Sequence, residues 1–362
     1  MIYGLLAVVI LGCCFLFYTY KILGGENLSK YDRNDPVTFE VPGKPEGIER
    51  LNDYLKEAFG MPGQSASAST GWSGKREGFD KAGLARDFEC EFRRDNFEAN
   101  GVTIDGAWTL VKGADPHKRI LYLHGGAMTV GSDISHRALT YNIAKRTGCA
   151  VFAANYRLMP ENPRQATIDD SRAAYKWILE NGPDGPASAE TVGVAGDSAG
   201  GNLALMVSHW TRKTPLRKPD AVVALSPTTD STLSSPSMKR NLHTDLMLTP
   251  LLKDILKVPR VLLLWGIRKT YGFKPSDPIV SPVFDDLSNL PPTLIHASAS
   301  EMLYDDSVRY VAKAQSQGSF VTFQSWVNVP HVWQIFDDYL KEAHDALDEI
   351  GTFFKKNGLS GQ

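Results

Sequence analysis

The chain carries little that would tie it to a nucleic acid, a metal ion or a phosphate-bearing cofactor. Its 39 Lys and Arg nearly balance 41 Asp and Glu, for a formal net charge of −2, and no basic patch offers a track for a polyanion. Four cysteines, at 13, 14, 90 and 149, fall at no metal-ligand spacing and outline no disulfide framework, so they leave the redox compartment open. Cys149 precedes the run Ala150-Val-Phe-Ala-Ala154 and reads as a small buried hydrophobe. A GxxxxGK[ST] loop, an internal repeat and a long low-complexity tract are all missing. What is present is 362 residues, 43% hydrophobic and 10% aromatic, enough to bury a large core within one α/β domain.

Residues 196–201 read Gly-Asp-Ser-Ala-Gly-Gly, between the apolar run Thr191-Val-Gly-Val-Ala195 and the helical pattern Asn202-Leu-Ala-Leu-Met206. A strand entering a GxSxG turn that opens a helix is the nucleophile elbow of α/β-hydrolases, which makes Ser198 the candidate nucleophile. A neutral hydroxyl needs a base, and the base needs a third group to fix its tautomer. In the chain order of that fold the acid and then the histidine follow the serine, which leaves His209, His243, His296, His331 and His344. His209, His296 and His344 fall within helix- or strand-like runs and read as structural, while His243 sits in a polar stretch with no anchoring strand. His331 follows the apolar run 320–327 and Pro330, a loop position at a strand end where catalytic groups are usually presented. The acid should follow the strand-like run 292–298: Glu301 stands closest to its end, and Asp305 and Asp306 come next, where a helix N-terminus also favours them. Upstream, the strand Arg119-Ile-Leu-Tyr-Leu123 runs into His124-Gly-Gly-Ala127, a loop able to aim backbone N–H groups at developing negative charge. Gly125 and Gly126, with Ala199, are the expected oxyanion donors.

These stretches, HGGAMTVGS (124–132), YRLMPE (156–161), GDSAGG (196–201) and the segments at 301 and 331, resemble the hormone-sensitive-lipase-like α/β-hydrolases, bacterial family IV esterases included. The resemblance spans most of residues 85–356. It implies a mostly parallel sheet flanked by helices, a triad of Ser198, Glu301 and His331, and a YRLMPE segment, through Tyr156 and Arg157, that braces Asp197. His124 and Asp305 are expected to support the site. Two departures stand out: Ala127 replaces a usual glycine, and Glu301 begins a segment where the family usually has DxLxD. The resemblance also implies a helical cap over Ser198, built from residues 48–84 and an insertion at 229–277, on a catalytic domain spanning 85–356. Ile48, Leu51, Tyr54, Leu55 and Phe59 recur at helical spacing, and 60–74 reads as a mobile Gly/Ser/Ala loop.

Residues 1–20 contain no charged side chain and as a helix would span roughly 30 Å, so they read as a single transmembrane anchor, with 21–47 as a linker. Basic residues follow that run and none precede it, yet similar microsomal deacetylases face the lumen, so both topologies stay open. The expected activity is hydrolysis of short- to medium-chain acyl or acetyl esters of apolar alcohols through an acyl-enzyme. A lipase or amide deacetylase is the alternative within the fold, and a ligand-binding hydrolase-like protein the alternative outside catalysis. The chemistry calls for no metal and no organic cofactor. Expected partners are a small-molecule ester, the lipid bilayer through residues 1–20 and, as an assembly the chain admits, a second copy in a homodimer, with no nucleic acid.

Overall fold

The structure, a computed structural model, describes residues 2–33, 36–39, 44–56 and 71–361. In chain order the strands are β1 (Val37–Phe39), β2 (Cys90–Ala99), β3 (Val102–Val111), β4 (Asp115–Leu123), β5 (Cys149–Ala154), a small ribbon of β6 (Asn181–Gly182) and β7 (Gly185–Pro186), then β8 (Thr191–Asp197), β9 (Ala221–Leu225), β10 (Thr293–Ser298) and β11 (Val321–Trp326). The helices are α1 (Ile2–Tyr18), α2 (Ile48–Leu55), α3 (Gly71–Leu84), α4 (Arg137–Thr147), α5 (Arg164–Glu180), α6 (Ser198–Arg212), α7 (Ser237–Arg240), α8 (Thr249–Leu252), α9 (Arg260–Tyr271), α10 (Tyr304–Ser316) and α11 (Lys341–Lys356). One sheet runs β1-β11-β10-β9-β8-β4-β5-β3-β2, parallel throughout except where β3 pairs with β2 and β5.

The central strands β5, β8 and β9 are near-continuous apolar runs because helices cover both of their faces. Side chains alternate between two cores: Leu121, Leu123, Phe152 and Val194 pack with α5, α6 and α10, while Ile120, Tyr122, Val151 and Ala195 pack with α4 and α11. Each large aliphatic side chain so buried contributes about 1.5–3 kcal/mol. The carboxyl ends of β8, β9, β10 and β11 lie side by side, and the loops leaving them converge on Ser198.

The N-terminal third departs from the sequence reading. No helix among the described residues is long and apolar enough to cross a membrane. The α-helical part, α1, is 17 residues, about 26 Å at 1.5 Å per residue, and runs on into a π-helical turn, Thr19–Leu23, that packs on the protein. Phe15 and Tyr18 stack on Trp265 of α9, Trp265 Nε1 donates to Thr19 Oγ1 at 3.1 Å, and Leu23 is fully buried. The expected linker is likewise built into the body: Leu28 is buried, Asp32 and Glu26 pair with Arg309 and Lys313 of α10, and β1 adds to the sheet edge beside β11.

α2 forms where its periodicity predicts, but its apolar face (Ile48, Leu51, Leu55) packs on Trp326, Trp333 and Leu340 of the body rather than over Ser198. Phe59 and residues 60–70 of the expected loop lie outside the described residues. α3 does roof the loop after His124: Arg76 Nε donates to Thr129 O at 2.9 Å and Ser132 Oγ to Asp80 Oδ1 at 2.6 Å. The 229–277 insertion splits in two, its first part locked to the 299–306 turn and its second, α8 and α9, standing outward with Leu251 and Leu262 more than half exposed.

Candidate active site

Ser198 takes a left-handed backbone, φ 50°, at the junction of β8 and α6. A non-glycine residue is held there only when its surroundings over-determine it, and here the turn is closed by close packing. A Cβ on Gly200 would fall 1.9 Å from Leu123 O, so only glycine lets α6 sit this near β4. The turn lifts Ser198 Oγ to 2.9 Å from His331 Nε2.

His331 leaves the end of β11 on an equally constrained loop, because Val332 sits at φ 49° and its N–H donates to Ser226 Oγ at 3.2 Å. Its Nδ1 lies 2.6 Å from Glu301 Oε2, and both side chains are buried. Glu301 Oε1 accepts from Ser298 N at 3.1 Å, which fixes the carboxylate to the end of β10. Burial alone would push the imidazole down, but the Glu301 carboxylate outweighs it and holds His331 above the ordinary histidine value. Burial raises the Glu301 carboxyl, with the imidazole opposing it.

Asp305 faces elsewhere, its carboxylate paired in two-pronged fashion with Arg240 at 3.0 Å and accepting from Ser237 N at 2.7 Å. Asp306 is also buried away from His331, accepting from the N–H groups of Thr229 and Asp230. Among the other histidines, His209 bonds Tyr310 Oη at 2.7 Å and His296 lies in the core beside Trp333.

The glycine loop places its donors differently from the sequence reading. Gly125 N–H is consumed: it donates to Asp197 Oδ1 at 3.0 Å and lies 3.2 Å from His136 Nε2. It is therefore engaged within the protein rather than free for the oxyanion role that the sequence suggested. Gly126 (φ 111°) and Ala127 (φ 52°) turn the loop so that their N–H groups meet no protein acceptor among the described residues. Ala199 N–H, in the first turn of α6, has no intrahelical partner either.

Asp197 is braced by residues other than those the resemblance implies. Tyr122 Oη donates to its Oδ1 at 2.6 Å, and His136 Nε2 approaches to 3.4 Å. Burial works against the Asp197 carboxylate, but His136 and Tyr122 win and hold it below the usual value. Tyr156 donates instead to His124 O and stacks on the His124 ring at 4.2 Å, while Arg157 forks onto Asp170. His124 is driven down to about 3 by burial, so the ring is neutral, and its Nδ1 lies 2.8 Å from Gly125 O. Tyr122 and His136 are thus functional neighbours that the sequence did not single out. The visible signal was a tyrosine in the otherwise aliphatic end of β4, Ile120–Leu123, just before the His-Gly-Gly loop. No group of three or more His, Cys, Asp or Glu among the described residues is placed to hold a metal.

The sequence model of the family described as alpha/beta hydrolase fold, Abhydrolase_3, matches residues 120–335. An acetyl-hydrolase of Streptomyces hygroscopicus is 35% identical over 66% of this chain and 75% of its own length. An esterase of Acinetobacter venetianus is 35% identical over 65% of this chain and 73% of its own. The crystal structure of an esterase from the bacterial hormone-sensitive lipase family superposes with a TM-score of 0.73 at 28% identity, covering 87% of this chain and 99% of that one. With the serine elbow, the His-Gly-Gly loop and the sheet order already in place, the chain belongs to the hormone-sensitive-lipase-like α/β-hydrolases.

Proposed function

We propose that the protein hydrolyses short- to medium-chain acyl or acetyl esters of apolar alcohols through an acyl-enzyme on Ser198. One observation carries the reading: the connected chain Ser198 Oγ, His331 and Glu301, at 2.9 and 2.6 Å, with the N–H groups of Gly126, Ala127 and Ala199 meeting no protein acceptor among the described residues. As Ser198 Oγ attacks the ester carbonyl, His331 Nε2 takes its proton, and Glu301 holds the imidazolium through Nδ1–H. The N–H groups of Gly126, Ala127 and Ala199 receive the negative charge on the carbonyl oxygen, each worth about 3–4 kcal/mol in such sites. His331 then returns the proton to the leaving alcohol, and water repeats the sequence on the acyl-enzyme. The acetyl-hydrolase and esterase relatives support an ester substrate and a short acyl group.

The test is turnover of a p-nitrophenyl ester series from acetyl to palmitoyl, run beside Ser198→Ala. A Ser198-dependent maximum at short chains is expected, a long-chain maximum would make the enzyme a lipase, and equal rates for both proteins would refute catalysis at Ser198.

Bilayer contact belongs to the same proposal in the narrower form that the helix length permits. α1 rests on the lipid surface without crossing it, which is supported by the exposed side chains of Ile10, Leu11 and Phe17 and by the absence of charge in residues 1–20. Co-flotation of the full chain with liposomes, lost on deletion of residues 1–17, is expected. Equal flotation of both forms would refute it.

A further inference from the structure

The turn that carries Glu301 is gripped from outside by a single helical turn, Asn241–Asp245, at the root of the insertion that leads into α8 and α9. Asn241 Nδ2 donates to Ala299 O at 2.9 Å and to Glu301 O at 2.7 Å. Thr244 Oγ1 donates to Ser300 O at 2.8 Å. Asp245 Oδ2 accepts from Met302 N at 2.8 Å, and its Oδ1 from the N–H groups of Met247 and Leu248 at 3.0 and 2.9 Å. Four consecutive residues around the acid are thus held through their backbones by side chains spaced i, i+3 and i+4, the positions that share one face of a helical turn. Below them Met302 and Leu303 pack with Leu248, Leu252 and Leu256.

We infer that Asp245 is a positioning residue of the reaction, fixing Glu301 through the Met302 N–H and acting as a second carboxylate behind the triad. Asp245 is buried, and no lysine, arginine or histidine pairs with it among the described residues. Three backbone N–H groups hold its charge, leaving the field un-neutralised. Asp245 is tied through the Met302 N–H to the residue after Glu301, and Asp197 precedes Ser198. The charges that act on His331 are therefore those of Glu301, Asp245 and Asp197, all acidic, with Ser198 on Nε2; those that act on Glu301 come from His331 and Asp245, with Ser226 as a hydrogen-bonding neighbour. A negative charge at 245 therefore favours the imidazolium that forms as Ser198 attacks. The inference rests on the triad proposed above.

The test is the pH profile of kcat/KM for D245N and D245A, expressed per active site by titration with a serine-directed fluorophosphonate. In D245N the acid limb should move to lower pH by about half a unit, because neutralising residue 245 weakens the hold on the protonated His331. In D245A, which also frees Met302 N–H, kcat should fall roughly 10- to 100-fold at nearly constant KM. A purely structural role would lower the titratable fraction and leave the profile of the remaining sites unchanged, so a D245N acid limb superimposed on wild type overturns the inference. Should D245N not accumulate as folded protein, D245S read in the same way decides. Wild-type turnover that does not depend on Ser198 would instead overturn the triad itself.

Discussion

Replacing Glu301 by glutamine tests which carboxylate orients the base. In wild type the Glu301 carboxylate meets His331 Nδ1 at 2.6 Å in a site from which both side chains exclude water, so the pair is not screened as a surface pair would be. Glutamine keeps the shape, removes the charge and can turn an amide N–H toward Nδ1, which favours the wrong tautomer. In comparable triads that exchange lowers kcat by about 10⁴. The second consequence concerns pH. His331 stands above the ordinary histidine value only because Glu301 outweighs burial, so with the charge gone burial dominates and the imidazole falls below that value. Wild type should therefore lose activity as pH drops through a midpoint above about 6.5, and E301Q should lose its much smaller activity at a lower midpoint. Asp305→Asn is the control: its carboxylate is held by Arg240 and the Ser237 N–H and not by His331, so the exchange acts on stability and should leave the midpoint unmoved. The assay is kcat/KM for p-nitrophenyl acetate from pH 5 to 9 on all three proteins. An E301Q profile that keeps the wild-type midpoint and rate, or a D305N profile that collapses, would refute the placement of Glu301 on His331.

Three further outcomes follow from the geometry. Gly126→Ala should cost about 10²- to 10³-fold in kcat with little change in KM, because the position has φ 111° and an added Cβ would lie 2.2 Å from Val130 O, twisting the N–H away from the oxyanion; burst kinetics with a p-nitrophenyl ester reads it. Asp306→Asn should raise stability at alkaline pH and not below pH 4: burial and the neighbouring Asp230 charge push this carboxyl up to about 7, so it contributes most below its unfolded value and loses that contribution as pH rises through 7. Thermal melts at pH 4 and pH 8 should then show a Tm gain of a few degrees only at pH 8. Trp265→Ala removes the stack under Phe15 and Tyr18 and the donor to Thr19, and should expose residues 18–25 to limited proteolysis without altering kcat on a soluble ester.

The legible part of the site was the part written locally. Ser198 announces itself because a strand, a glycine-tight turn and a helix are contiguous in the chain, and His331 because only one later histidine stood in a loop after a strand. The rest depended on partners far away in sequence. Glu301 and Asp305 are four residues apart, and what separates them is Arg240, which claims Asp305 from within the insertion. Gly125 and Gly126 look alike in a sequence, yet one N–H points at Asp197 and the other does not, a distinction set by residue 197 and by the dihedral angles of the loop. Residues 1–20 read as a span because hydropathy counts charges and cannot see Trp265, the side chain that receives Phe15, Tyr18 and Thr19.

The same non-local logic explains why the site tolerates strain. Ser198 and Ser226, directly after the adjacent strands β8 and β9, and Val332, in the loop after β11, all adopt left-handed backbones, φ 50°, 46° and 49°, which costs on the order of 1–3 kcal/mol each. They hold one another: Val332 N donates to Ser226 Oγ, Ser226 N to His296 O at 2.7 Å, and Thr228 N to Ser198 O at 3.3 Å. Relaxing Val332 would release its bond to Ser226, and relaxing Ser198 its bond to Thr228, two residues beyond Ser226, so the strained turns support one another on a sheet whose central strands are buried. Ser198 Oγ and His331 Nε2 are thereby kept at 2.9 Å by the fold itself, and in the proposed reaction the reorganisation that a loose loop would need at the moment of attack is already supplied by folding. Val332→Gly probes this coupling through activity. Glycine adopts φ 49° without strain, but the exchange also deletes a buried side chain packed in the core and frees the unfolded chain, so the fold should be destabilised despite the relief of strain. If the left-handed turn is what aims His331, the folded variant should also have a lower kcat, because the freed turn samples other conformations; a variant that stays folded and keeps full kcat would show that the aim of His331 comes from Glu301 alone.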